Sequence, residues 1–120
     1  MSLPFAPGLK VYLAPGATDM RKSFRGLVAA TREVLEEDPL SGHVFGFCNR
    51  RRTLLKLLLW DTTGFWIFAK RLEQGTFAWP DPAPGELKLQ LSGEELAAVL
   101  GGYALDVSTR RRWWGRVHRA

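Results

Sequence analysis

The residues of this sequence that could do chemistry are mainly cations placed beside apolar runs. Three consecutive arginines occupy positions 50–52, between two apolar runs, where their guanidinium groups could project together. The planar donor fork of a guanidinium suits phosphate oxygens, so the triplet is a candidate phosphate-binding element. Lys56, Lys70 and Arg71 follow, and adjacent strands would bring them near the triplet. The simpler interpretation of the triplet is a solvated turn.

The positive charge is concentrated in one part of the chain. The 120 residues include 17 Lys and Arg against 12 Asp and Glu, which gives a net charge of +5. Residues 1–40 are balanced, with 5 basic and 5 acidic side chains, whereas residues 41–72 have 6 basic side chains against Asp61 alone. A concentrated positive field attracts polyanions, and the commonest cytoplasmic polyanions are nucleic acids.

The last part of the sequence, residues 108–120, combines arginines with two adjacent tryptophans. Its candidate nucleic-acid-binding residues are Arg110, Arg111, Arg112, Trp113, Trp114 and Arg116. This composition suits phosphate contact together with base stacking or insertion into a minor groove. The alternative is that the two tryptophans pack back on the domain or on a second subunit. With little periodicity, the segment is predicted to be flexible when free.

No combination of residues predicts an enzyme. His43 and His118 have no motif-level partner, no Cys/His cluster has the spacing of a metal site, and no glycine-rich phosphate loop is present. A two-metal nuclease would need several converging carboxylates, and the aspartates are isolated in turn-like contexts. The single cysteine, Cys48, is interpreted as a core or interface filler. The sequence therefore predicts a non-catalytic protein with no cofactor and no metal.

The centre of the chain has the pattern of a β-meander. Apolar runs at Val44–Cys48, Leu54–Trp60 and 65–69 are separated by short polar connectors at 49–52 and 61–64. In the second connector, Gly64 is predicted to take the positive φ angle of a hairpin loop. The aromatic residues of the runs could form a base-stacking platform, but a role in the core is the simpler interpretation.

The flanking segments complete the predicted fold. Residues 9–14 alternate as a first strand that Pro15-Gly16 is expected to stop, and residues 20–37 have helical spacing. Residues 86–91 alternate as a further strand with Leu87, Leu89 and Leu91 inward. Ser92 and Glu95 form a capping box that opens a short helix.

These elements predict an α+β fold: an antiparallel β-meander sheet with one long helix after the first strand and a short C-terminal helix. We assign residues 1–107 to a single domain and residues 108–120 to a basic tail. The sequence has no apolar run of membrane-spanning length and no signal-peptide layout, which predicts a cytoplasmic protein without membrane contact. Because both faces of the central strands are apolar, a homodimer is a further expectation.

Several segments in this order resemble the TnpB-type accessory protein of the insertion-sequence-66 family of bacterial transposable elements. The matching segments are Tyr12-Leu13-Ala14, residues 18–27 (TDMRKSFRGL), residues 41–45 (SGHVF), residues 49–52 (NRRR), Lys56, Trp60-Asp61, residues 64–66 (GFW), residues 70–73 (KRLE), Gly75, Phe77 and Trp79-Pro80. The resemblance implies a role in transposition beside a separate, larger transposase that carries the strand-transfer chemistry. It implies no catalytic residues.

The leading function is therefore a non-catalytic accessory factor for transposition that binds DNA at the element ends, assembles with the transposase, or does both. Outside the tail, the candidate DNA-binding residues are Arg21, Lys22, Arg25, Asn49, Arg50, Arg51, Arg52, Lys56, Lys70 and Arg71. Asn49 could add a base or sugar contact, although turn formation is its simpler role. The main alternative is a protein-interaction module that contacts the transposase or another accessory subunit without binding DNA. A nuclease is the weakest alternative.

Overall fold

A computed structural model describes residues 8–101, which form one five-stranded sheet and two helices. In chain order the elements are β1 (Val11–Ala17), α1 (Phe24–Glu33), β2 (Val44–Cys48), β3 (Leu54–Trp60), β4 (Phe65–Arg71), β5 (Leu89–Leu91) and α2 (Gly93–Leu100). The strand order across the sheet is β4-β3-β2-β1-β5. Neither helix within residues 8–101 has the length and apolar character needed to cross a membrane.

The sheet is mixed, so the prediction of an antiparallel sheet is wrong. β1 and β2 are parallel, with Val11 opposite Val44 and Leu13 opposite Gly46. Parallel neighbours need a crossover connection, and α1 with its flanking loops provides it. The meander within this sheet matches its prediction, since β2 pairs with β3 and β3 with β4 in antiparallel register.

The helix after β1 is short, which also contradicts the prediction of a long helix over residues 20–37. Before it, the Asp19 carboxylate accepts the backbone N–H of Arg21 at 2.9 Å. The Lys56 ammonium donates to the carbonyl oxygens of Met20 and Lys22, both at 2.8 Å, so these oxygens are held outside a helix. After α1, Glu36 takes a positive φ of 53°, which turns the chain away from the helical path.

Three further local predictions are wrong. β1 continues through Pro15-Gly16 to Ala17 with a shift in register after Leu13, a type of irregularity at which proline is tolerated in a sheet. β5 is shorter than predicted, and Leu87 is exposed rather than inward. In the 61–64 connector, Thr62 instead of Gly64 has the positive φ, at 81°.

Each face of the sheet has its own apolar core. On one face, α1 places Leu27 and Ala30 against Tyr12, Phe45 and Phe47, and both phenylalanines are fully buried. Truncating either phenylalanine to alanine would cost about 3–5 kcal/mol, so this layer fixes the position of α1. The phenylalanines therefore cannot form an exposed base-stacking platform.

The opposite face is covered by α2 and by the segment that follows β4. Phe77 and Trp79 from this segment are buried with Val11, Leu57 and Val99. Gly46 leaves room for the Leu13 side chain of the neighbouring strand, because a Cβ added at Gly46 would lie 2.4 Å from a Leu13 methyl carbon. The Trp79 indole donates to the Ala14 carbonyl at 2.7 Å. Both faces of the central strands are thus covered within this chain, which removes the reason first given for a homodimer.

The short C-terminal helix begins as predicted. The Ser92 hydroxyl accepts the backbone N–H of Glu95, and the Glu95 carboxylate accepts the backbone N–H of Ser92, both at 3.1 Å. This capping box satisfies donors that the first turn of α2 leaves free. At the other end of α2, Lys70 donates to the Leu100 carbonyl at 2.7 Å, which ties the helix to β4.

Candidate nucleic-acid interface

The topology gathers the sequence-predicted cations at one end of the sheet. Ala17 at the end of β1 lies opposite Cys48 at the end of β2, and Leu54 at the start of β3 lies opposite Arg71 at the end of β4. The 18–23 loop, the 49–53 turn and Arg71 therefore meet at this end. We call it the basic end; its cations are Arg21, Lys22, Arg25, Arg50, Arg51, Arg52, Lys56, Lys70 and Arg71.

Several of these cations have structural roles that occupy their donors. Arg52 donates to the Pro15 carbonyl at 3.0 Å and to the Asn49 carbonyl at 3.5 Å, and its guanidinium lies 5.7 Å from the centroid of the Trp79 ring. Lys56 holds the 20–22 loop on β3, and Lys70 holds the end of α2. The predicted DNA contacts of these three side chains are therefore in competition with bonds inside the domain.

Arg21 is partly neutralised by a local ion pair. Its guanidinium lies 2.7 Å from the Asp19 carboxylate, and the hydrogen bonds from Arg21 lower the pKa of Asp19 to about 2. The same carboxylate raises the pKa of Arg21. The Arg21 side chain is almost fully exposed, so the pair is solvated and adds little stability.

Asn49 forms the turn that carries the arginine triplet. Its amide oxygen accepts the backbone N–H groups of Thr53 at 2.9 Å and Leu54 at 3.1 Å, and its amide nitrogen donates to the Thr53 hydroxyl at 3.0 Å. These bonds use the groups with which Asn49 could have contacted a base. The turn-forming interpretation is therefore the one that the structure supports.

Five of the nine cations of the basic end are exposed and have no side-chain partner among residues 8–101. Their side chains make no hydrogen bond or ion pair with any other residue in the 8–101 range. They are Lys22, Arg25, Arg50, Arg51 and Arg71. The loop held by Lys56 presents Lys22, and the first turn of α1 presents Arg25. The Asn49 turn presents Arg50 and Arg51, and the register of β4 places Arg71 beside that turn. Charged hydrogen bonds to phosphates are the interaction that such a group can make.

The opposite end of the sheet carries several acidic side chains. The Asp61 carboxylate accepts from the Trp66 indole at 2.7 Å and from the backbone N–H groups of Thr63 and Gly64 at 3.0 and 2.9 Å. These bonds, that from Trp66 foremost, lower the pKa of Asp61 to about 2. Glu33 in α1 and the following Glu36, Glu37 and Asp38 precede β2 and lie towards the same end. The separation of charge along the strands is partial, since Asp19 lies at the basic end and Lys88 pairs with Glu37.

No metal-binding cluster accompanies the basic end in the described range. No three His, Cys, Asp or Glu residues among positions 8–101 come together as a metal site. Cys48 is fully buried in the core, and burial raises the pKa of its thiol. The tail candidates Arg110, Arg111, Arg112, Trp113, Trp114 and Arg116 lie outside the described residues, so the structure says nothing about their position.

One aromatic residue of the sheet, for which a role in the core was the simpler interpretation, is exposed. Trp66 is 53% exposed, and its ring stacks on Phe68 with the centroids 5.9 Å apart. The alternation of β4 could have indicated an outward Trp66, but the buried character of its neighbours made the whole run look like core.

The chain is similar to a known family and to two further proteins. The family described as IS66 Orf2 like protein matches residues 9–110. Two proteins of Sinorhizobium fredii (strain NBRC 101917 / NGR234) are similar: uncharacterized protein y4hO, 38% identical over 83% of this chain and 85% of the relative, and uncharacterized protein y4jC, 34% identical over 93% and 86%. No solved structure matches the chain.

Proposed function

We propose that this chain, which belongs to the IS66 Orf2-like family, is an accessory protein of transposition that binds DNA phosphates with its basic end. Family membership supports the accessory role. The single observation that supports DNA binding is that the fold collects five exposed, unpaired cations of residues 8–101 at one end of the sheet. The strand-transfer chemistry would belong to a separate transposase.

The arrangement of the basic end supports a rigid phosphate-binding surface. Asn49 and Arg52 hold the 49–53 turn through side-chain bonds, so Arg50 and Arg51 project from a fixed backbone. Lys56 fixes the loop that presents Lys22 in the same way. Little backbone entropy would then be lost when the surface meets DNA, because the loops are already ordered.

This binding mode has a defined salt dependence. Each phosphate that a cation neutralises adds about 0.9 to the slope of log affinity against log salt concentration for duplex DNA. If all five exposed cations make contacts, the slope is about 4 to 5. Contacts to phosphates carry no sequence information, so preference for the element ends would come from the transposase or from DNA shape.

A pair of matched double variants tests the proposal. Arg50→Ala/Arg51→Ala removes two charges from the basic end, whereas Lys10→Ala/Arg32→Ala removes two exposed charges located elsewhere. Fluorescence anisotropy with element-end duplex and random duplex at two salt concentrations gives affinity and slope. We expect the first variant to lose roughly ten- to a hundredfold in low-salt affinity and about 2 in slope, and the control to lose little.

Two results would overturn DNA binding through the basic end. One is equal loss in both double variants, which would indicate a non-specific effect of net charge. The other is no binding of either duplex at low salt by the unchanged protein. If that protein still captures the transposase, the alternative of a protein-interaction module with a basic face for an acidic partner is correct.

A further inference from the structure

β4 is an edge strand whose outer side has no neighbour among residues 8–101. The Leu72 N–H donates to the Thr53 carbonyl at 2.9 Å, which sets the alternation of the β3–β4 ladder. By that alternation Trp66, Phe68 and Lys70 bond to β3. The residues whose backbone groups face outward are Phe65, Ile67, Ala69 and Arg71.

The edge is unusually apolar for an exposed strand. It has seven residues, no proline and no bulge, and its only charges are Lys70 and Arg71 at one end. Natural proteins normally protect such an edge, because it can pair with another strand. Trp66 is 53% exposed, and its stacking on Phe68 and bond to Asp61 hold it in place beside the edge. A partner strand would cover both the backbone groups and this ring.

We propose that β4 pairs with β4 of a second copy, antiparallel, about a two-fold axis at Phe68. This is an isologous contact, in which the same strand is used by both copies. The register places Phe65 opposite Arg71, Trp66 opposite Lys70, and Ile67 opposite Ala69 of the second copy. The two sheets then become one continuous sheet of ten strands, twice the five of one copy.

The sequence of β4 is complementary to itself in this orientation and in this register. Pairing about Phe68 uses the outward backbone groups of all four outward residues. It also sets the cationic end of one strand against the aromatic end of the other, where the Lys and Arg stems can pack on rings. In a parallel pair, Lys70 and Arg71 would instead lie beside their own copies, and like charges in neighbouring positions destabilise a sheet.

The dimer has a consequence for DNA binding. This consequence rests on the proposed function, whereas the dimer does not. β4 ends at the basic end, so antiparallel pairing directs the two basic ends in opposite directions along the joined sheet. One dimer would present two separate phosphate-binding surfaces, suited to two DNA segments. The dimer itself is independent of DNA binding and is tested without DNA.

Disulfide trapping tests the register. In the proposed pairing Phe68 faces itself in a non-hydrogen-bonded pair, with Cα atoms about 4.5 Å apart, within disulfide range. We expect Phe68→Cys to form a covalent dimer under mild oxidation. The matched control is Trp66→Cys, whose two copies would be about 13 Å apart and should not crosslink. Cys48 is fully buried, and the unchanged protein shows how much covalent dimer forms through Cys48 alone.

A second experiment tests the edge without a cysteine. Ala69→Pro removes an outward N–H and no bond to β3, so it should weaken dimerisation at least tenfold in light scattering, while Ala69→Thr should not. Urea unfolding of both variants is the control that establishes whether each one folds. A monomer mass for the unchanged protein at tens of micromolar overturns the proposal, as does equal crosslinking of Phe68→Cys and Trp66→Cys. Slow amide exchange of Ile67 and Ala69 in a monomer would show that the same chain covers the edge, which also overturns it.

Discussion

The two hairpin turns of the meander differ in length but share two features, and they carry opposite charge. In the 49–53 turn, the Asn49 side-chain oxygen accepts two backbone N–H groups, and Arg52 has a positive φ of 59°. In the 61–64 turn, the Asp61 oxygen accepts two backbone N–H groups, and Thr62 has a positive φ of 81°. One turn displays guanidinium groups, and the other holds an indole.

The difference shows how a neutral residue keeps a charged surface available. A carboxylate at position 49 would make the same turn, as Asp61 does, but it would lie next to three arginines and offset part of their charge. The amide of Asn49 forms the turn without that cost. At the other end, a carboxylate is useful because it accepts the Trp66 N–H at 2.7 Å.

The largest expected effect separates the structural arginine from its neighbours. Arg52→Ala removes the bonds to Pro15 and Asn49 and the contact with the Trp79 ring, and should lower the free energy of unfolding by about 2 kcal/mol. Thr62→Gly, at the positive-φ position of the other turn, relieves left-handed strain and should raise the free energy of unfolding by about 1 kcal/mol. Urea unfolding measures both. A change of the same sign and size in the free energy of unfolding of both variants would contradict this difference between the turns.

A single change of charge tests the role assigned to Asn49. Asn49→Asp keeps the acceptor for Thr53 and Leu54, and the Thr53 hydroxyl can donate in place of the lost amide. We expect little change in urea unfolding, a several-fold loss of DNA affinity at low salt, and a salt slope lower by about 0.9. Unchanged DNA binding would mean that the 49–53 turn lies away from the phosphates.

The smallest expected effect is a pH dependence at the acidic turn. The pKa of Asp61 is about 2 in the folded chain against an ordinary value of 3.8, so its contribution to stability is present above pH 4 and is lost as the pH falls towards 2. Asp61→Asn should lower the urea midpoint at pH 7 and make it less sensitive to pH between 4 and 2. An unchanged pH profile would contradict this assignment. The Asp19 carboxylate titrates over the same range in both proteins.

Much of the local structure could be predicted from the sequence. The alternation of β2 and β3, the capping box at Ser92 and the turn-forming role of Asn49 depend on neighbouring residues, and the structure has them where the pattern placed them. The cations of residues 41–72 were expected near one another on adjacent strands, and the register places them at one end of the sheet. Family resemblance and the family match agree.

The predictions failed where residues far apart in the sequence determine the local structure. Alternation in β1 and β2 gives the faces of the strands but not their relative direction, so the parallel pair was missed. The start of α1 depends on Lys56, more than thirty positions from the carbonyls that it binds. The same long-range bonds distinguish the cations that stabilise the fold from those that have no side-chain partner among residues 8–101. No local pattern distinguishes Lys70, which holds Leu100, from Arg71 beside it.

The bond between Lys70 and Leu100 also links α2 to the basic end. Lys70 directly precedes Arg71, so a phosphate that drew its ammonium group away would leave the Leu100 carbonyl without this donor. A polyanion at the basic end would therefore compete with the last turn of α2 for one side chain of β4.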